Sequence, residues 1–419
     1  MRFGAGNRVF KLASAGLSLL AVTAAIGAAT SPLAASQPEA MAIAAPAIAP
    51  AASASLFSAE ALADLQAEAL AAEREGIDPS TYDIGTLATL AATPGAEADR
   101  AATAMALQIA EDYASGTVKD RKRLGWHIEG QEVDRDRLAA DLRTALAEKR
   151  LRPWLRSLLP TDARYAALRA AYVTTPAADA DTRQKLRANL ERWRWMPRTL
   201  GDDHIFVNVP SYQLRVVDNG APVSTYTVVV GAPSTPTPQI AVTAQSVVVN
   251  PWWNVPPSII RSSNLRGRAG YVTAANGAVR QPPGPRNALG RVKIDMPNPH
   301  AIYLHDTPSK ALFERESRAF SHGCIRVKDI DRLAAELMEL DRGDSSEVDR
   351  ALAGSSTRAI ALQRGRPVYL VYFTMEAGPD GSIIRYEDPY GRDTKLIASI
   401  ERETKMAAAE RRTTKTHGA

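Results

Sequence analysis

The sequence predicts an α+β protein, with an N-terminal helical region followed by a mainly β domain. Apolar residues such as Leu62, Leu65 and Ala69 recur every three or four positions, which places them on one face of a helix. Beyond Thr199 the apolar residues instead form alternating or β-branched runs that are typical of strands. We therefore expect two regions with separate cores, and 419 residues are enough to build both.

The helical region is predicted over residues 56–188. Its first periodic stretch ends at Gly76-Ile77-Asp78-Pro79, where glycine and proline favour a turn before the next segment. Two further stretches, 102–113 and 133–158, also carry apolar residues at helical spacing. The pattern predicts a packed helical domain and assigns no function to it.

The β domain is predicted over residues 189–395. Strand-like runs at 204–209 and 212–217 are followed by Asn219-Gly220, a dipeptide that favours the tight turn of a hairpin. Further strands are expected at 223–230, 242–250, 301–305, 368–374 and 382–386. Short runs linked by turns predict a mainly antiparallel sheet.

One helix is predicted inside the β domain, beginning at Asp329. Its apolar stripe comprises Ile330, Leu333, Ala334, Leu337 and Met338. Asp329 is the candidate N-cap, because a carboxylate can accept hydrogen bonds from the free N–H groups of a first helical turn. We expect this helix to pack behind the sheet.

The two ends of the chain differ from the regions between them. Basic residues up to Lys11 precede a long uncharged stretch, which predicts a signal peptide at 1–36; an uncleaved membrane anchor is the alternative. An Ala/Pro-rich linker follows at 37–55, and 396–419 is predicted to be a charged C-terminal tail. Either interpretation of the N-terminus predicts that the protein is exported.

The charge pattern argues against a nucleic-acid partner. The formal net charge is +5, but the basic residues are scattered, aromatic residues are sparse, and neither a Gly-rich phosphate loop nor a nucleic-acid-binding motif is present. A mildly basic exported protein can associate with an anionic wall or membrane surface without a dedicated site. We predict no nucleic-acid partner and no cofactor.

The most informative motif contains the only cysteine of the chain, within Ser-His-Gly-Cys-Ile-Arg-Val at 321–327. A thiol becomes a strong nucleophile when nearby cationic or hydrogen-bonding groups favour its deprotonation. His305 ends a strand-like run upstream, near enough in sequence for a loop to bring its imidazole to Cys324. A buried packing cysteine is the alternative, but its polar neighbours favour a reactive thiol.

A zinc site is a second alternative for the same residues. It would use His305, His322 and Cys324, yet it would lack a fourth ligand, since neither a CxxC pair nor an HxxxH spacing is present. We therefore predict no metal at this position.

The residues around the cysteine and the upstream histidine resemble the signature of the L,D-transpeptidases with a YkuD-type catalytic domain. Tyr-Leu-His-Asp-Thr-Pro at 303–308 and the 321–327 motif carry the resemblance, and segments 189–195, 250–257 and 283–290 extend it to the YcbB-like subgroup. The resemblance implies a helical scaffold before a β catalytic domain, a cysteine acyltransferase in the periplasm, and peptidoglycan stem peptides as substrates. Cell-wall synthases and outer-membrane proteins are the further partners it suggests.

Acyl transfer assigns a role to each residue of the motif. Cys324 is the expected nucleophile and His305 the base, which also matches the family's catalytic histidine. The backbone N–H groups of Gly323 and Cys324 are the expected oxyanion donors. Arg326 shares a strand face with Cys324 and is expected to bind a stem-peptide carboxylate or to lower the thiol pKa; a structural ion pair is its alternative role.

The remaining candidates surround the proposed nucleophile and base. Tyr303 lies on the same face as His305, and with Trp253 it is expected to line the cleft, although core packing is an equal alternative for both. His322, grouped with the substrate-binding candidates, is expected to orient the loop, and an idle place in the network is its alternative. Asp306 should face the opposite way, so we expect a backbone carbonyl to orient the His305 imidazole.

Two segments are shorter than the resemblance implies. Residues 156–189 leave no room for a peptidoglycan-binding module, and 258–284 allow only an abbreviated cap over the catalytic domain.

The expected reaction is the formation of 3-3 cross-links between stem peptides through a thioester. Water as acceptor would instead make the protein an L,D-carboxypeptidase or hydrolase, and a protein amine would make it an enzyme that links outer-membrane proteins to peptidoglycan. A wall-binding scaffold and a thiol redox sensor are the alternatives outside this chemistry; the chain has no second cysteine to resolve an oxidised thiol.

Overall fold

The structure is a computed structural model that describes residues 55–93, 95–378 and 380–417. The predicted signal peptide and all but the last residue of the predicted linker lie outside these ranges. Within them, every helix is either too short or too polar to cross a lipid bilayer.

Seven helices build the N-terminal region and confirm its helical prediction. They are α1 (Ala59–Ala71), α2 (Ile84–Ala91), α3 (Ala96–Ser115), α4 (Arg135–Ala147), α5 (Leu151–Ser157), α6 (Ala163–Thr174) and α7 (Ala180–Arg194). Side-chain capping fixes where five of these helices begin, because a first-turn N–H group donates to the side chain of Ser58, Asp83, Asp134, Asp162 or Asp179. Leu65 and Leu155 are fully buried in a core shared by several of the helices.

The C-terminal region contains fourteen strands and four helices in the described residues. The strands are β1 (His204–Asn208), β2 (Gln213–Asp218), β3 (Ala221–Gly231), β4 (Ile240–Val249), β5 (Trp253–Asn254), β6 (Val272–Thr273), β7 (Val279–Gln281), β8 (Val292–Asp295), β9 (Leu304–His305), β10 (Ala319–Ser321), β11 (Ile325–Val327), β12 (Arg358–Val371), β13 (Met375–Ala377) and β14 (Ile383–Arg385). The helices are α8 (Pro257–Ser263), α9 (Ile330–Arg342), α10 (Ser346–Ala353) and α11 (Arg392–His417).

Nine strands form one sheet in the order β10-β3-β11-β9-β8-β4-β12-β1-β2, and a further pairing of β2 with β3 closes it on itself. The pairings β1–β12, β9–β11 and β3–β10 are parallel, and the others are antiparallel as predicted. The hairpin at Asn219-Gly220 is confirmed, because Asp218 pairs with Ala221 and both turn residues have positive φ.

Helix α9 packs behind the sheet with the predicted stripe buried, from Ile330 to Met338. The predicted capping by Asp329 is wrong. Asp329 does occupy the N-cap position, but its backbone is left-handed, with φ of 53°, and its side chain makes no hydrogen bond to the first turn. A capping residue normally has an extended backbone that points its side chain at those N–H groups.

The C-terminal end of the chain is helical in the structure. Helix α11 begins at Arg392, so the predicted start of a charged tail at 396 falls inside it. Leu396 and Ile400 are buried in a cluster that also contains Leu190 of α7. The helix is therefore anchored to the rest of the protein by its first turns.

Residues 189–195 at the end of α7, here called the α7 junction, connect several parts of the structure. The Asn189 amide donates to Thr374 Oγ1 at 2.9 Å, and Arg192 pairs with Asp393 of α11 at 2.6 Å. The Trp193 ring stacks on Phe373. The junction thus ties the helical region to both the sheet and α11.

Candidate active site

The register of β9 and β11 brings the predicted site residues to one face of the sheet. Leu304 pairs with Ile325 and both are fully buried in the core beneath the sheet. Successive side chains of a strand point to opposite faces. The alternate positions therefore share the other face, here called the Cys324 face: Tyr303, His305, Cys324 and Arg326.

The Cys324 thiol is partly buried on this face and donates to the carbonyl oxygen of Ala301 at 3.6 Å. Burial raises the pKa of Cys324 above its ordinary value, although hydrogen bonds with Tyr303 and the charges of Lys293 and Arg326 act in the opposite direction. The predicted lowering of the Cys324 pKa by Arg326 is thus present, but it is smaller than the rise caused by burial. The resting thiol is protonated at neutral pH.

The His305 imidazole is buried and uncharged. Burial, followed by the positive charge of Arg326, lowers the pKa of His305 to about 3, while Asp306 opposes the shift. Nδ1 has no hydrogen-bond partner of normal geometry among the described residues, although a backbone hydrogen bond with Asp306 contributes to the opposing effect on the pKa. Orientation of the ring by a backbone carbonyl therefore stays a prediction. Tyr303 packs edge-on against the imidazole, with ring centroids 5.5 Å apart. A neutral imidazole has a lone pair that can accept a proton, but a pKa of about 3 lies well below the operating pH at which a general base is most efficient.

Asp306 faces away from the imidazole, as strand alternation predicts. Its carboxylate accepts from the Arg291 N–H at 3.0 Å and pairs with Lys310. Gly290 has φ of 62°, and a Cβ at this position would overlap the Asp306 carboxylate. Asp306 therefore holds the turn at 290–291 and is not the third member of a catalytic triad.

Arg326 carries a positive charge without a partner. Its side chain is half-buried, and it makes no ion pair with a carboxylate in the part of the chain that the structure describes. Burial lowers its pKa, and Cys324 opposes that effect. No described carboxylate forms the structural ion pair considered above, which leaves the guanidinium free for an anionic group of a ligand.

The turn at 321–324 leaves the two predicted oxyanion donors in different states. Gly323 has φ of 112°, which glycine adopts readily, and its N–H donates to Ser321 Oγ at 3.0 Å. That hydroxyl in turn donates to the Cys324 carbonyl at 2.6 Å. The Gly323 N–H is therefore occupied, whereas no hydrogen bond from the Cys324 N–H is found among the described residues.

His322 does not have the contacts that its predicted role requires. Its side chain is exposed and makes no hydrogen bond within the described part of the protein. The turn is held instead by Ser321 and by two threonines that sequence reasoning missed. Thr235 Oγ1 donates to the Ser321 carbonyl at 2.9 Å, and Thr237 Oγ1 donates to the Gly323 carbonyl at 2.8 Å.

The tryptophan and tyrosine predicted to line the cleft are packed together. Trp253 is buried in a small cluster against which Tyr303 packs. Burial raises the pKa of Tyr303, Cys324 adds to the rise, and a hydrogen bond with Trp253 opposes it. Lys293 lies over the Tyr303 ring, 4.5 Å from its centroid. Tyr303 thus links the thiol to the packed base of the cap, while Trp253 lies behind it.

Residues 252–289, here called the cap, contain the predicted abbreviated cap at 258–284 and are strongly basic. It contains α8 and the three-stranded sheet β5-β7-β6. No aspartate or glutamate occurs between Asn219 and Ile294. Five exposed arginines lie in the cap: Arg261, Arg266, Arg268, Arg280 and Arg286. The surroundings of the Cys324 face therefore favour a ligand with carboxylate groups.

Comparison with known protein families agrees with this geometry. Residues 202–369 match the family model of the L,D-transpeptidase catalytic domain, YkuD, and residues 54–171 match the Scaffold domain. A putative L,D-transpeptidase of Haemophilus influenzae is 33% identical over 249 residues, which cover 52% of this chain and 50% of that protein. The chain thus spans about half the length of this curated relative. It carries a YkuD-type L,D-transpeptidase catalytic domain and a Scaffold domain.

Solved structures with lower similarity include L,D-transpeptidases. One from Mycobacterium smegmatis is 15% identical and covers 41% of this chain and 58% of its own, with a TM-score of 0.25. The catalytic domain of an E. faecium L,D-transpeptidase, solved after acylation by ertapenem, is 14% identical and covers 41% of this chain and 99% of its own, with a TM-score of 0.23. The matches do not distinguish subgroups, so the YcbB-like assignment stays a prediction.

Proposed function

We propose that this protein is a peptidoglycan L,D-transpeptidase that forms 3-3 cross-links between stem peptides through a thioester on Cys324. The observation that carries the proposal is the composition of the Cys324 face. A partly buried thiol, a neutral buried imidazole and an unpaired guanidinium share this face inside a YkuD-type domain. These are a nucleophile, a base and an anion-binding group, which are the parts that acyl transfer from an acidic peptide needs.

The first half-reaction forms the thioester. The Cys324 thiol gives its proton to the neutral His305 imidazole, and the sulfur attacks the carbonyl carbon of the L,D bond in a donor tetrapeptide. The carbon–nitrogen bond breaks, and the terminal D-residue leaves with the proton from His305 on its amine. The resting thiol donates to Ala301, so we expect it to exchange this acceptor for His305 when the donor binds.

The second half-reaction transfers the peptide. The amine of an acceptor stem peptide attacks the thioester carbon, a carbon–nitrogen bond forms, and the sulfur–carbon bond breaks. The proton lost by the acceptor amine returns to sulfur through His305, which restores the starting enzyme. Water in place of the amine would give an L,D-carboxypeptidase, and a protein amine would attach that protein to the wall.

The basic cap supports a substrate that carries several carboxylates. Arg326 is the nearest unpaired cation to the thiol in sequence and register, and the cap arginines extend the same charge outward. We propose that Arg326 binds a stem-peptide carboxylate. We also propose a periplasmic location, which rests on the basic and apolar N-terminal sequence, and cell-wall synthases or outer-membrane proteins as further partners.

Product analysis tests the proposed function. The protein and its Cys324→Ala variant are incubated with disaccharide tetrapeptides, and the products are identified by mass spectrometry. We expect cysteine-dependent dimers that have lost one terminal D-residue. Cysteine-dependent tripeptide monomers without dimers would favour hydrolysis, and no product from protein whose thiol still alkylates would contradict acyl transfer to stem peptides.

A further inference from the structure

The peptide group that joins Gly323 to Cys324 is held from one side by Thr237. Thr237 is fully buried, and its hydroxyl donates to the Gly323 carbonyl at 2.8 Å. In a trans peptide the C=O and the N–H of the next residue point in opposite directions. Fixing the Gly323 carbonyl therefore directs the Cys324 N–H away from Thr237.

The Cys324 N–H is the donor that this turn leaves available. It has no hydrogen bond to any described residue, whereas the Gly323 N–H is occupied by Ser321. From this arrangement we propose that Thr237 is a positioning residue that aims the Cys324 N–H at the oxyanion formed during thioester formation. The inference rests on the proposed function and adds a residue to its site.

The direction of the Thr237 hydroxyl bond is set by its own surroundings. A threonine hydroxyl has one proton to donate, and Thr237 Oγ1 already accepts from the Gly231 N–H at 2.9 Å. Its proton is therefore directed to the Gly323 carbonyl. The Thr237 backbone is held as well, because its N–H donates to Tyr390 at 3.2 Å.

Gly231 and Tyr390 hold Thr237 in its buried position. A Cβ on Gly231 would overlap the Thr235 carbonyl and come within 2.6 Å of the Thr237 nitrogen, so only glycine lets the 231–237 segment fold back so closely. The Tyr390 hydroxyl donates to the Gly231 carbonyl at 2.6 Å. Thr237 is thus held at both ends, which a positioning group requires.

Two reactions of the same sulfur separate positioning from simple structural support. Acylation by a peptide builds negative charge on a carbonyl oxygen and uses the oxyanion donor. Alkylation by iodoacetamide displaces iodide from a carbon and forms no oxyanion. Cys324 is the only cysteine, so both rates are measured on one sulfur by intact mass.

The test compares the full chain with Thr237→Val and Thr237→Ser. Donor disaccharide tetrapeptide is added without acceptor, and single-turnover formation of the Cys324 thioester is timed beside iodoacetamide alkylation. We expect Thr237→Val to slow acylation at least about tenfold, since loss of one oxyanion donor itself costs about 10²–10³, with alkylation within about twofold of wild type. Thr237→Ser keeps the hydroxyl and should restore most of the acylation rate.

Thr235→Val is the matched control. Its acceptor, the Ser321 carbonyl, also accepts from the Ala232 N–H at 2.8 Å, so this variant should change acylation less than about threefold. Equal acylation rates for Thr237→Val and wild type would overturn the inference about Thr237 but not the proposed function. Parallel loss of acylation and alkylation would show a disordered turn and overturn it as well. No thioester on the wild type would overturn the proposed function, and the inference with it.

Discussion

The α7 junction and the Cys324 face both bury charged or titratable side chains, but they differ in whether those side chains have ion-pair partners. In the junction Glu191 pairs with Arg194 at 2.6 Å and Arg192 pairs with Asp393 at 2.6 Å, all nearly inaccessible to solvent. On the Cys324 face His305 and Arg326 have buried nitrogens without hydrogen-bond partners in the described part of the chain. Trp193 Nε1 and Arg194 Nε of the junction also lack hydrogen-bond partners among the described residues. The contrast therefore lies in the ion pairs: the junction charges are paired, whereas no described carboxylate pairs with Arg326, which leaves its charge for a ligand.

The same contrast appears in the protonation of the two regions. Burial alone would raise the pKa of Glu191, but Arg194 and the Val118 N–H lower it below its ordinary value. Burial and the positive charge of Arg326 both lower the pKa of His305, so the imidazole is uncharged. A partner decides whether a buried group keeps its charge, and the junction supplies partners where the Cys324 face does not.

The largest expected effect comes from breaking the α7 junction. Arg194→Met leaves the Glu191 carboxylate buried without its partner, which typically costs about 3–5 kcal/mol of stability. Urea unfolding would measure the loss. Adding Glu191→Gln should recover part of it, because the unpaired charge is then gone. A loss below about 1 kcal/mol for Arg194→Met would show that the junction does not depend on this pair.

A poorly paired carboxylate, Asp112 in α3, should make stability depend on pH. Burial raises the pKa of Asp112 from 3.8 to about 7, although Lys119, 3.7 Å away, opposes the shift. The folded state then binds the proton more tightly than the unfolded state. This contribution to stability is full below about pH 4 and is lost as pH rises through 7, by up to about 4 kcal/mol at 1.36 kcal/mol per pKa unit.

Asp112→Asn checks this prediction, because it retains a hydrogen-bond acceptor for Tyr82, whose hydroxyl lies 3.3 Å from the carboxylate. Unfolding free energies of both proteins are measured from pH 4 to pH 8. The difference between them should change in favour of the variant as pH rises. A constant difference across the range would mean that Asp112 titrates at an ordinary pKa in the folded protein.

Replacing the unpaired guanidinium of the Cys324 face should affect the reaction and spare the fold. Arg326→Met leaves no carboxylate without a partner, so we expect a change in stability below about 1 kcal/mol. Acylation by the tetrapeptide should fall about 10-fold to 100-fold, the range of a lost charge-assisted hydrogen bond. Donors with one carboxylate amidated at a time identify the group that Arg326 binds, because that donor should be insensitive to the substitution. Equal losses with every donor would contradict the proposed contact.

The smallest effect concerns the resting protonation of the thiol. Because burial raises the pKa of Cys324 and lowers that of His305, alkylation by iodoacetamide should rise steadily with pH up to at least 9. A plateau between pH 5 and 8 would instead indicate a thiolate–imidazolium pair. The Cys324→Ala protein gives the background of the assay.

Short-range patterns in the sequence predicted much of this molecule. Strand alternation placed Cys324 and Arg326 on one face, and helical spacing predicted the buried stripe of α9. Contacts between distant segments were not predictable in this way. Thr237 meets Gly323 across 86 positions, and nothing in the local sequence marks its hydroxyl as a partner of the turn.

Two features of the structure depend on contacts that a local sequence pattern cannot show. The Gly323 N–H was assigned to an oxyanion because glycine permits a tight turn, but the Ser321 hydroxyl two residues earlier takes that donor. The residues after 396 read as a charged tail because the segment is strongly polar. Leu396 and Ile400 nevertheless bury against the α7 region and extend a helix there, since tertiary packing can override a weak local preference.

The most direct measurement is the intact mass of the protein and of Cys324→Ala after exposure to a disaccharide tetrapeptide without acceptor. We expect the wild type to gain the mass of the donor minus its terminal D-residue and water, as one thioester on Cys324, and the variant to gain nothing. An unmodified wild type whose thiol still reacts with iodoacetamide, or the same adduct on Cys324→Ala, would contradict this expectation.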